Sequence, residues 1–191
     1  HCPGVNSPTS RGIAPETHPL ALGPSGIVGY EPIGHAILES DLILAIGSRL
    51  SDIQLARTEL LSDGIKIVQV DIDPATIGRD HIIALGIAAD ARAFTESLNS
   101  ALDSANLPVP DARCDWAAAL RKRMDDWQQA WYDATPGNGK VQPQEVVKSL
   151  CALPADTIFT HGAGDHGFYG FMARVDAPGG HLLSTRLGAM G

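Results

Sequence analysis

Residues Asp41 to Gly47 read DLILAIG, and residues Lys66 to Asp73 read KIVQVDID. Each is a nearly continuous apolar run. The first is bounded by a charge and a glycine, and the second is stopped by Pro74. A strand with one wet face alternates apolar and polar residues, whereas a parallel strand covered on both faces does not. The two runs are therefore expected to be adjacent parallel strands in the core of one sheet, buried on both faces. His81 to Leu85 reads as a third, shorter strand, and a helix is expected from about Ala91 to Leu102. Strands alternating with helical segments imply crossover connections and a doubly wound parallel α/β sheet, Rossmann-like in class.

Ligands of such sheets bind outside the carboxyl ends of the strands. Here those ends carry Gly47, Ser48 and Arg49, then Asp71, Ile72 and Asp73. Arg49 can meet a phosphate, and Asp71 or Asp73 a ribose hydroxyl. The alternative is that Arg49 pairs with Asp52 or a neighbouring carboxylate and that the aspartates cap turns. Upstream, His18-Pro19-Leu20-Ala21-Leu22-Gly23 with Gly26 and Gly29 reads as a glycine-rich loop opening a helix from about Tyr30 to Glu39. Its spacing is not the G-x-G-x-x-G of a dinucleotide site. Gly23 and Gly26 join Gly47, Arg49, Asp71 and Asp73 as a candidate nucleotide site, with loop glycines in the left-handed region as the alternative.

The chain has 191 residues, room for one large domain or one domain and part of another. It opens on His1, and it is expected to be a piece of a longer protein. A net charge of -8 speaks against nucleic acid as a partner, because phosphate binding needs clustered Lys and Arg. Arg121-Lys122-Arg123, followed by Asp125 and Asp126, reads as a solvated helix face. The longest apolar stretch, Leu42 to Ile46, is far too short for a membrane span. Cys2, Cys114 and Cys151 fit neither a disulfide framework nor a zinc pattern, and they are expected to be reduced thiols of a cytoplasmic protein.

Asn106 to Arg113, with two prolines, reads as a linker. Asp115 is expected to cap a helix reaching Tyr132, on which Trp116, Leu120, Met124, Trp127 and Trp131 make one apolar packing stripe. After a break at Pro136 to Gly139, a helix is expected over Gln142 to Leu153 and a strand over Asp156 to Thr160. The strand opens into His161-Gly162-Ala163-Gly164-Asp165-His166-Gly167, then a helix over about Phe168 to Arg174, a strand at His181, and the closing Gly188-Ala189-Met190-Gly191. Two histidines and an aspartate invite a metal reading. A strand end, a glycine loop and a helix start together also make a phosphate cradle.

In this order the motifs resemble the thiamine-diphosphate-dependent enzymes of the acetolactate synthase and 2-oxoacid decarboxylase superfamily. His18-Pro19-Leu20 with Gly23, Gly26 and Gly29, then Ser40 to Leu50, Val70 to Pro74 and Ala89-Asp90-Ala91 are similar to the central domain of that family. Thr160 to His166 and Leu187 to Gly191 resemble the start of its diphosphate-binding domain. The resemblance implies a division into residues 1–105 (central domain), 106–140 (linker and connecting helix) and 141–191 (start of the diphosphate-binding domain).

It also implies thiamine diphosphate and Mg2+ as cofactors, a small-molecule 2-oxoacid as substrate, and a homodimer or homotetramer, with no nucleic acid and no membrane involved. By position, Ala163, Gly164, Asp165 and His166 match the loop over the diphosphate. The Gly188 carbonyl and Met190 amide match contacts to the pyrimidine edge, and the Met190 side chain matches the residue beneath the bent cofactor. The family's activating glutamate and its metal ligands match nothing in this sequence, so no catalytic or metal residue is expected here, and the chain by itself is expected to be inactive. Asp165-His166 stands where acetolactate synthases have Gln-His. Ser51-Asp52-Ile53 stands where they carry two aspartates and an arginine of an FAD site, which leaves FAD an open alternative. A reading of another class also stays open, a nucleotide-binding or structural α/β domain without catalysis.

Overall fold

The computed structural model describes residues 2–26, 29–55, 61, 64–134, 137, 139–162 and 164–183. Among the described residues it is an α/β structure with three parallel sheets. Strand β1 (Gly4–Asn6) pairs with β2 (Ala21–Pro24), and β2 leads to helix α1 (Glu31–Leu38). Strand β3 (Leu42–Ile46) and the short helix α2 (Asp52–Leu55) precede β4 (Lys66–Asp71) and β5 (Leu85–Ala88). These three strands form the second sheet in the order β3-β4-β5. Helices α3 (Ala91–Ala105), α4 (Asp111–Asp133) and α5 (Pro143–Cys151) follow. The third sheet pairs β6 (Phe159–His161) with β7 (His181–Leu183), joined through helix α6 (Asp165–Gly170).

The two apolar runs are parallel neighbours, in register from Leu42 opposite Lys66 to Ile46 opposite Val70. They are not buried on both faces. Leu42 is 50 % exposed, Leu44 39 % and, on β5, Leu85 53 %. Register places these side chains on one face with Lys66 and Val68. The opposite face carries Ala45 and Ile67, which pack with Leu50, Leu55, Ile43, Leu61 and Ile83. α3 buries none of its residues, so it does not seal the exposed face.

Several element bounds differ from expectation for local reasons. The third strand lies at Leu85–Ala88, not His81–Leu85. Gly86 sits inside it because a Cβ there would come within 2.4 Å of the Ile77 side chain. α4 begins at Asp111 behind Pro110, four residues before the expected cap, with an acid in its first turn where the helix dipole favours one. β6 starts at Phe159, because the Thr157 N–H closes a turn on the Pro154 carbonyl. α6 spans Asp165–Gly170 instead of Phe168–Arg174.

The larger core draws on distant parts of the chain. Leu120 and Met124 of α4 pack with Leu22 of β2, with Tyr30, Ile33 and Ala36 at α1, with Val147 of α5, and with Met172 and Ala173 after α6. Trp116, Trp127 and Trp131 lie against this core, as the packing stripe requires, and Trp127 meets the Tyr30 ring at 5.3 Å between centroids. Along α4, Arg121 pairs with Asp125 and donates to the Ala21 carbonyl at 2.9 Å, Lys122 pairs with Asp126, and Arg123 reaches Glu39 beyond α1. Among the described residues no helix is long and apolar enough to cross a membrane.

Candidate functional site

Two regions hold the residues singled out by sequence. The first is the carboxyl edge of β3 and β4. The Gly47 N–H donates to the Val70 carbonyl at 2.8 Å, which carries the pairing just past β3. Buried Gln69 then ties the edge together, donating to the Ser48 carbonyl (3.0 Å) and accepting from the Gly78 N–H (2.8 Å). Asp71 accepts from the Asp73 N–H at 2.9 Å, and Asp73 accepts from the Ala75 N–H at 3.0 Å. Both aspartates therefore shape the turn after β4, as the alternative reading has it. Arg49 is exposed and makes no ion pair among the described residues; the Asp52 side chain lies outside the description. The structure thus gathers Gly47, Arg49, Asp71 and Asp73 at one edge. Gly23 and Gly26 belong to β2 and its loop, on another sheet, where Gly23 packs against the Tyr30 ring.

The second region lies between β6 and α6. Gly164 opens α6 with φ +135°, a conformation that side-chain-bearing residues rarely adopt, and the Gly167 N–H closes on its carbonyl at 2.9 Å. A Cβ at Gly164 would come within 3.1 Å of the His166 ring, so bare backbone and an exposed imidazole stand side by side. Main-chain amides at a glycine turn and a protonatable ring are the donor types an anionic diphosphate takes. To that extent Gly164 and His166 fit the group. Ala163, Gly188, Met190 and the Asp165 side chain lie outside the described residues.

Beneath this turn is a polar cluster that sequence reading did not assemble. The Nε2 atoms of His161, at the end of β6, and His181, at the start of β7, are 2.9 Å apart. Both rings touch Phe171, with centroids 5.3 and 5.1 Å away. Burial, then the charge of Arg11 and the neighbouring His161, lower the His181 pKa to about 4. Arg11 is fully buried. It donates to the Phe171 carbonyl (3.0 Å) and the Ala173 carbonyl (2.6 Å), and its fork meets Glu16 at 2.7 and 2.5 Å. Glu16 also accepts from the Val175 N–H at 3.0 Å. The Tyr30 hydroxyl donates to the same Phe171 carbonyl at 2.9 Å, and burial raises its pKa. Lone charges in a Pro- and Gly-rich loop carry no local signal of such partners, which lie about 160 positions away.

Among the described residues no group of three His, Cys, Asp or Glu side chains is close enough to hold a metal ion. Cys2, Cys114 and Cys151 are free thiols.

Residues 1–98 match the family described as "Thiamine pyrophosphate enzyme, central domain". An acetolactate synthase of Mycobacterium bovis is 28% identical over 191 residues, covering 99% of this chain and 31% of its own length. The acetolactate synthase large subunit of Porphyra purpurea is 27% identical, covering 95% and 30% respectively. The probable acetolactate synthase large subunit of Methanococcus aeolicus is 29% identical, covering 95% and 32%. The chain spans about a third of the length of the curated relatives it matches.

Proposed function

The chain belongs to the thiamine pyrophosphate enzyme family through its central domain, and from that premise we propose that it is part of an acetolactate-synthase-like carboligase or decarboxylase acting on a 2-oxoacid. The observation that carries this reading is the extent of the likeness. It runs over 95% or more of the chain and so continues past the central domain. Thiamine diphosphate and Mg2+ are the proposed cofactors. In this reading residues 1–105 are the central domain and residues 141–191 enter the diphosphate-binding domain.

When bound, the cofactor supplies an electron sink for the decarboxylation of a 2-oxoacid. This chain's residues bind and orient. Gly164 keeps the turn free of side chains, and His166 places a protonatable ring beside it. Gly188 and Met190 are proposed to meet the pyrimidine. None of them moves a proton in the chemical step, so their contribution is positional. The Mg2+ ligands and any acid–base group are proposed to lie outside this chain, and the assembly to be a homodimer or homotetramer.

A nucleotide at the β3–β4 edge is less well supported, since one oxygen of Asp71 and one of Asp73 each hold a backbone N–H of the turn. The test is an assay of the intact protein for pyruvate consumption, with and without thiamine diphosphate and Mg2+. Turnover that requires both supports the proposal, and turnover indifferent to both refutes it.

A further inference from the structure

We infer that His161 is the positioning residue for Gly162 and helix α6, holding that backbone in place by a hydrogen bond from its Nδ1 to the Gly162 carbonyl while its ring fills the space that Gly167 and Gly170 leave open. The His161 Nδ1 stands 3.2 Å from the Gly162 oxygen. A carbonyl can only accept, so Nδ1 carries the proton. The Nε2 of His161 stands 2.9 Å from the Nε2 of His181. The Pro8 carbonyl is a further acceptor beside the His181 ring.

The packing restricts the ring in the same way. A Cβ added at Gly167 would lie 3.0 Å from the His161 Nδ1, and one at Gly170 would lie 3.1 Å from its Cδ2. The two glycines are three residues apart and so share a face of α6, and that face rests on the imidazole. Phe171 and His181 close the ring in from the other directions. Glycine is a poor helix former relative to alanine. α6 carries two within six residues, so its order depends on what it rests against. This inference deepens the reading of the β6–α6 turn as a cofactor contact and rests on it only for the ligand.

Two substitutions separate the two nitrogens. His161→Asn keeps a donor near the Nδ1 position, whereas His161→Gln moves the amide toward His181 and away from Gly162. Amide hydrogen exchange over 164–170 in the ligand-free intact protein should quicken about tenfold in His161→Gln and less than about twofold in His161→Asn, a difference of the size one hydrogen bond gives. Nitrogen NMR of the wild type should show the His161 Nδ1 protonated. A His161 with its proton only on Nε2 would overturn the inference without any variant. So would equal exchange in the two variants, fast or slow. Thiamine diphosphate affinity, measured separately with Mg2+, should fall about tenfold in His161→Gln and hold in His161→Asn. A wild type that binds no cofactor would remove the proposed function while leaving the exchange result to decide this point.

Discussion

Arg11 and Glu16 form a forked ion pair whose side chains are 0% and 7% exposed, and the pair fastens the loop before β2 to the backbone between α6 and β7. Two guanidinium nitrogens also donate to main-chain carbonyls, so the charge is hydrogen-bonded on several sides. A buried pair of this kind is costly to break and of little advantage over well-packed apolar groups. Arg11→Met should therefore destabilise the protein by about 3–5 kcal/mol, and Arg11→Met combined with Glu16→Leu by clearly less. Urea unfolding of both single variants and the double variant measures this. Losses that simply add would show that the two side chains are not coupled.

Gly12 tests the same junction by shape. Its φ is +85°, and an added Cβ would lie 2.5 Å from the Ala177 carbonyl oxygen and 2.8 Å from the Gly179 nitrogen. Both are backbone atoms and cannot rotate aside. Gly12→Ala should cost about 2–4 kcal/mol, from left-handed strain and steric overlap together. Thermal or urea denaturation reads it, and a loss near zero would contradict the packing of this loop against Ala177 to Gly180.

His181 predicts a pH dependence. Its folded pKa is about 4, against about 6.5 for an unfolded histidine. Between these values the unfolded chain binds more protons, so stability rises with pH there. The contribution is complete above about pH 6.5 and is lost as pH falls toward 4. His161 and Arg11, itself paired with Glu16, are the groups that face it. Urea midpoints taken from pH 4.5 to 7.5 should slope less in His181→Phe than in the wild type. An identical slope would mean that the ring is not held neutral.

Helix α3 offers a local control. Asp90 caps it, accepting from the Arg92 and Ala93 N–H groups at 3.0 Å. Asp90→Ala should cost about 1 kcal/mol. Because α3 buries no residue, the loss should leave amide exchange over β6 and β7 unchanged.

These relationships also show where the sequence was informative. DLILAIG and KIVQVDID are legible as parallel neighbours because long apolar runs exclude most other placements, and they pair residue for residue. The same runs do not report how many faces are covered, and Leu42 and Leu44 prove half-open. β1 and β2 went unread because strands of three and four residues carrying Gly4, Gly23 and Pro24 look like loop. α6 was read late in the chain because Gly164, Gly167 and Gly170 disguise a helix, and their purpose appears only beside the His161 ring. Gly164 and His166 are named through the family resemblance of the loop from Ala163 to His166. Arg11, Glu16 and His181 are not, since each acts through a partner distant in sequence.

The most direct test of the central claim is calorimetric titration of the intact protein with thiamine diphosphate, with and without Mg2+. The account predicts saturable binding that requires the metal, because the diphosphate contacts it proposes, backbone amides and His166, supply no hard cation. It also predicts that Gly164→Ala weakens this binding, since the new Cβ would crowd the His166 ring at 3.1 Å. Absence of binding under any condition, or binding untouched by both Mg2+ and Gly164→Ala, would contradict it.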